Sequence, residues 1–229
     1  MVKRGEKMGI LGSIIGKVIT DVAAPAVTEK VKQTLYSKNK DNFLHKDEFF
    51  EKLPGFGVLV VNQRLDSERY EFDVYDENRV VKYTVKDKLM SLKHCLYIFD
   101  YNGNKLGMIK EKLVAIRSPI SLESTSVDFI IEINGRKLGK VKSRWAFGGN
   151  QYDVDFTGWK IVGNITGLNY KILSRYGEIA DISSKLFRFG NTYSVTYPDI
   201  RNELLVLMLV LAIDAASATR RAKEYNQSL

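Results

Sequence analysis

The run LLVLMLVLAI, Leu204 to Ile213, decides the fold. Ten consecutive apolar residues leave no polar face, and a helix that is apolar all round is buried all round. The run is too short for a bilayer, which needs about twenty residues. Extending it through Ala218 brings in Asp214, a costly charge in lipid. A helical tail, AASATRRAKEY, follows. The rest of the chain must therefore build a wall around this helix.

Between Gly55 and Pro198 the hydrophobic period is two. Tyr70, Phe72 and Val74 alternate with Glu71 and Asp73; Tyr152, Val154 and Phe156 alternate with Asp153 and Asp155. One face is dry and one wet, the mark of antiparallel strands. Asn102-Gly103 and Asn134-Gly135 predict tight hairpins, because both central positions of such turns need positive φ. Further turn signals at Asp76-Glu77-Asn78, Thr157-Gly158 and Tyr176-Gly177 set a spacing that predicts about 12 strands. The fold class expected is mainly β: a closed antiparallel barrel around a central hydrophobic C-terminal helix. The other arrangement, a helix outside a sandwich, would leave part of the apolar run wet. A helix-rich α/β enzyme fold is excluded over this range.

The chain has 229 residues, 45% hydrophobic and 11% aromatic, which rules out disorder over most of its length. One Cys excludes a disulfide framework and a thiolate metal cluster. The net charge of +8 is spread out: +3 over residues 1–52, +2 over 53–118, +3 over 119–198 and zero beyond. A diffuse positive field favours anionic surfaces without naming one.

The chain divides into an N-terminal helical segment and connector, 1–52, and a barrel with its helix, 53–229. Residues 8–24, MGILGSIIGKVITDVAA, carry Ile10, Ile14, Val18 and Val22 at helical spacing, with Lys17 and Asp21 opposite. An amphipathic helix is predicted; membrane anchor, packing helix and secretory signal all remain open for it. Gly12 to Lys17 is one residue short of a phosphate-binding loop and has Val18 where Ser or Thr is required. Residues 26–52 read as a polar helical connector ending near Pro54-Gly55.

Several stretches together resemble the LURP-one-related branch of the tubby C-terminal fold, more distantly the phospholipid scramblases. They are CLYIFDYNGNKLGMIKEK (95–112), FIIEINGRKLGKVKSR (129–144), WKIVGNI (159–165), GEIADISSK (177–185) and NTYSVTYPDIRNELLVLMLVLAIDAA (191–216). The resemblance covers about 55 to 216 and implies a closed barrel around a hydrophobic helix. It also implies links to membranes, since tubby members bind phosphoinositide headgroups through basic side chains. Scramblases carry acidic residues at the start of the strand before the final helix, implicated in Ca²⁺ binding. Asn191 stands there in this chain, with only Asp199 nearby, so no metal site is expected.

No catalytic residue, cofactor or metal ligand set is expected. His94 and Cys95 are adjacent, so on a strand they point to opposite faces and cannot form a nucleophile–base pair. They read as a surface His and a core Cys. Asp153 and Asp155 share a strand face about 7 Å apart, which strand alternation alone explains as a solvent face. Asp214 is expected to bond backbone or a cation at the barrel mouth. The constellation that stands out is RKLGKVKSRW: Arg136, Lys140, Lys142 and Arg144 have even numbers and are expected on one strand face, with Leu138 the exception in their row. Like charges so spaced repel; a solvated barrel face explains them, as does an anion site for lipid phosphate or an acidic partner.

The function expected is a non-catalytic tubby-like domain that associates with acidic phospholipid headgroups or a protein partner, cytoplasmic and peripheral at the inner face of a membrane. An enzyme with an unrecognised pocket and a nucleic-acid-binding protein are the alternatives. Nucleic acid is disfavoured because aromatics are not evidently interleaved with the basic residues.

Overall fold

The computed structural model describes residues 33–34, 37, 40–41, 44–51, 54–64, 70–88, 94–116, 124–146, 149–165, 169–184 and 192–227. The helix expected over 8–24 lies outside the described residues. A short helix α1, Asp47–Phe50, precedes twelve strands: β1 Gly57–Gln63, β2 Phe72–Tyr75, β3 Val81–Asp87, β4 Cys95–Asp100, β5 Lys105–Ile116, β6 Ser124–Ile133, β7 Arg136–Ala146, β8 Gly149–Val154, β9 Trp159–Asn164, β10 Asn169–Ser174, β11 Gly177–Ser183 and β12 Thr192–Tyr197. A 3-10 turn, Ile200–Asn202, leads into helix α2, Glu203–Gln227.

Each strand pairs antiparallel with the next, and β12 closes on β1, with Leu59 opposite Val195 and Val61 opposite Tyr193. Closure leaves no unpaired sheet edge. The alternation works as expected: Phe72 and Val74, or Ile172 and Ile182, point inward. They meet α2, whose residues Val206 to Ser217 are all buried. The apolar run therefore threads the barrel and is its core. Wall and helix approach closely at Gly107, where an added Cβ would lie 2.9 Å from the Met208 sulfur and 3.0 Å from the Glu132 carbonyl oxygen.

The barrel has two distinct ends. At one, the turn end, the chain reverses within 76–80, 101–104, 134–135, 155–158 and 175–176, and enters α2 through 198–202. At the other, the loop end, the connections are 64–71, 88–94, 117–123, 147–148, 165–168 and 184–191. Asn134 and Gly135 have φ of 49° and 74°, the two-residue turn predicted for them. Asn102-Gly103 differs: only Gly103 has positive φ (82°), within a longer loop. The reason is Asp100, whose carboxylate accepts the Asn102 and Asn104 N–H groups and stabilises the extra residues.

Outside the barrel, Phe49 and Phe50 pack with Val58, Val60 and Tyr75 on the outer side of β1 and β2. The end of the connector, read as polar, thus covers wall surface with two buried aromatics.

Candidate functional site: a basic outer wall

Strand β7 carries the cations singled out in the sequence, and its pairing decides where they face. Val141 lies opposite Phe129 and Val154, all buried, so Lys140 and Lys142 leave on the outer side. Lys140 stands opposite Ile130, and Lys142 opposite Asp153. Arg144 stands opposite Gln151 in the same row; its side chain lies outside the described residues.

Arg136 does not share that row. The β6–β7 register shifts between Ile131 and Glu132: Ile131 faces Gly139, Glu132 faces Lys137, and Ile133 faces Arg136. Leu138 is the extra residue of a β-bulge, and a bulge inverts the parity of the numbering across it. Lys137 therefore takes the place expected for Arg136, which stands exposed at the turn-end rim.

The neighbouring strand extends the basic surface. On β5, Lys110 lies opposite Ile130 and Lys112 opposite Asp128, both outward. Lys110, Ile130 and Lys140 form one row across three strands, and strands are spaced about 4.8 Å. Among the described residues Lys110, Lys112 and Lys140 form no ion pair. Sequence reading missed this second row because Glu111 stands between Lys110 and Lys112 and breaks the apolar alternation. On β4, Tyr97 and Phe99 also face outward, with the Lys105 ammonium 4.6 Å from the Tyr97 ring centre and the Lys86 ammonium 5.8 Å from that of Phe99. Two partly exposed aromatics thus lie beside lysines on this side of the barrel.

Lys142 is partly neutralised, 3.2 Å from Asp155. Burial works against the Asp155 charge, but the Lys140 N–H at 2.7 Å and the Lys142 ammonium hold its carboxyl below the usual range. Asp153 faces Lys142 and Lys160. The two carboxylates thus balance lysines and are not set up as an acid–base pair.

Other titratable groups gather at the barrel ends. At the turn end, buried Glu203 accepts hydrogen bonds from the Tyr83 and Tyr197 hydroxyls and lies 2.6 Å from Lys82. At the loop end, Asp214 is fully buried and accepts from the Tyr193 hydroxyl at 3.3 Å. A phenol is thus one of its partners, inside the barrel beside the inward-facing tyrosines. Burial first, then the Asp214 charge, pushes the Tyr193 and Tyr170 phenols upward. His94 is half-buried, its Nδ1 3.0 Å from Asp87, whereas the sequence read it as a surface residue. Burial opposes its charge, but Asp87, with Glu111 and Asp214, raises its pKa above the ordinary imidazole value. Among the described residues no group of three metal-ligating side chains converges. An open hollow of about 510 Å³ over β9–β11 is lined by Val162, Asn169, Lys171, Asp181 and Ser183 among others, with no His or Cys.

A closed antiparallel barrel filled by its own C-terminal helix defines the class of domain. The LURP-one-related family model matches residues 58–214, and the chain belongs to that family. No curated protein matches it. Among solved structures it is similar to the X-ray structure of an Arabidopsis thaliana protein, at 13% identity and a TM-score of 0.42, covering 75% of this chain and 96% of that one. No helix among the described residues is long and apolar enough to cross a membrane. The outer wall itself carries lysines at mid-height, the reverse of the apolar band of a lipid-embedded barrel.

Proposed function

We propose that this LURP-one-related barrel is a non-catalytic domain that associates with acidic phospholipid headgroups through its basic outer wall. The observation that carries the reading is the cluster on β5 and β7. Lys110, Lys112 and Lys140 project outward without ion pairs among the described residues, beside half-exposed Met108 and Ile130. Lys142 and Arg144 continue the β7 row, while Arg136 adds charge at the rim. The interior is filled by α2, which leaves the outside of the barrel as the surface for a ligand.

Each basic residue near an acidic membrane contributes about 1 kcal/mol, so four lysines supply roughly 4 kcal/mol before ordering costs. That corresponds to about a thousandfold in affinity. The wild type should co-sediment with phosphatidylserine vesicles, weakly with phosphatidylcholine alone, and less as salt rises. Replacing Lys110, Lys112, Lys140 and Lys142 by Gln should abolish this binding. Replacing exposed Lys46, Lys88, Lys160 and Lys171 removes the same charge elsewhere and should do much less. Equal losses from both sets would mean general attraction with no site. Absence of wild-type binding would end the lipid reading and move weight to a protein partner.

A further inference from the structure

The described exposed large apolar side chains all lie at the turn end: Val80, Tyr101, Leu138, Tyr176 and Ile200. Their surroundings differ in charge. Arg79 beside Val80 is paired with Asp47, Arg201 beside Ile200 with Asp199, and Arg175 lies 4.5 Å over the Tyr176 ring. The β6–β7 turn is different: it carries Arg136 and Lys137 beside Leu138, two cations against the one acid, Glu132, that the register sets opposite Lys137. The β4–β5 turn adjoins it in the barrel and carries Tyr101, 78% exposed, between Asp100 at the end of β4 and Lys105 at the start of β5. Among the described residues Lys105, Arg136 and Lys137 form no ion pair.

The bulge makes this edge what it is. Without an extra residue, Leu138 would follow the ordinary alternation of β7. With it, Lys137 and Leu138 together stand against Glu132, and Leu138 is left 40% exposed. An apolar tip flanked by two cations, next to a tyrosine with its polar hydroxyl, is the composition that settles at a bilayer interface. Both turns border the lysine wall on β5 and β7, so one tilt of the barrel brings tips and wall against the same plane.

We infer that the adjoining β4–β5 and β6–β7 turns form a membrane-insertion edge, in which Leu138 and Tyr101 enter the headgroup–acyl boundary while Lys105, Arg136 and Lys137 meet lipid phosphates. This rests on the membrane reading above and fixes its orientation: the barrel lies tilted onto this edge, and the opposite rim, with Tyr176 on the β10–β11 turn, stays in water.

The test places single tryptophans at Leu138→Trp, Tyr101→Trp and Tyr176→Trp in the full chain, each read as the increment over the wild type's own Trp145 and Trp159. The probe is phosphatidylserine–phosphatidylcholine vesicles with brominated acyl chains. The Leu138→Trp and Tyr101→Trp increments should shift to the blue and be quenched, and the Tyr176→Trp increment should not. In parallel, the double change Leu138→Ser and Tyr101→Ser should weaken vesicle binding roughly tenfold through lost apolar burial, with Tyr176→Ser unchanged. Quenching at all three positions would mean the barrel stands upright on its rim and would overturn the edge. Quenching at none while vesicles still sediment would overturn insertion and leave the charged wall as the contact. No sedimentation of the wild type would remove the membrane reading and this inference with it.

Discussion

The two ends of the barrel hold the same helix by different chemistry. Glu203 and Asp214 bracket the apolar run of α2, eleven residues and so about 16 Å apart. Glu203, in the first turn of α2, is favoured by the helix dipole and gathers two tyrosine hydroxyls and Lys82. Asp214 sits deeper, fully buried, against Tyr193 and in the field of Tyr170. Close packing such as that of Met208 on Gly107 already resists sliding, and two buried carboxylates with fixed partners add a second restraint on depth and rotation.

Removing the helix is the most severe way to break this comparison. Ten large apolar side chains contribute roughly 1.5–3 kcal/mol each when buried, more than a marginal domain can lose. Deletion of 203–229 should give insoluble or molten protein; a cooperative, near-unchanged melt would exclude α2 as the core. Single changes then sharpen the contrast between the ends. Glu203→Ala strands Lys82, Tyr83 and Tyr197 and should cost about 3 kcal/mol in urea unfolding. Asp214→Asn keeps an acceptor for the Tyr193 hydroxyl and should cost about 1 kcal/mol. The opposite ranking would put the specifying contact at the loop end.

The smallest effect is a pH dependence at the loop end. The His94 pKa is raised in the fold, so its contribution is complete below the unfolded value of 6.5 and is lost as pH rises through the folded one. The Asp87 pKa is lowered, since its bonds to His94 and to the Cys95 and Lys88 N–H groups outweigh burial. Its contribution is complete above 3.8 and is lost as pH falls through the folded value. His94→Gln should therefore destabilise most between about pH 4 and 6.5 and least in alkali, read from melts across pH. A penalty that is flat with pH would show that the imidazole charge contributes nothing.

The barrel was legible because both of its signals are local. Period-two alternation needs only neighbouring residues, and an apolar run without a polar face has few places to go. What escaped the sequence depends on partners distant along the chain. The bulge at Leu138 is one added residue in a run of ordinary strand formers, so RKLGKVKSR gives no sign that parity breaks and Arg136 leaves the row. Lys110 and Lys112 flank the charged Glu111, which hides their shared face, and their union with Lys140 needs β6 between them. The carboxylate clusters are less accessible still: Tyr83 reaches Glu203 from 120 residues away, and although Tyr197 and His94 are near their carboxylates in sequence, a turn or connection, with no regular spacing, brings each pair together.

If the interior supplies the stability and the outer wall is the proposed lipid contact, one variant tests both halves of that division. The protein carrying Gln at Lys110, Lys112, Lys140 and Lys142 should keep its melt, because exposed substitutions usually change stability by no more than about 0.5 kcal/mol. The same preparation should fail to sediment with phosphatidylserine vesicles that pull down the wild type. A variant that unfolds early, or one that binds those vesicles as well as the wild type does, would contradict it.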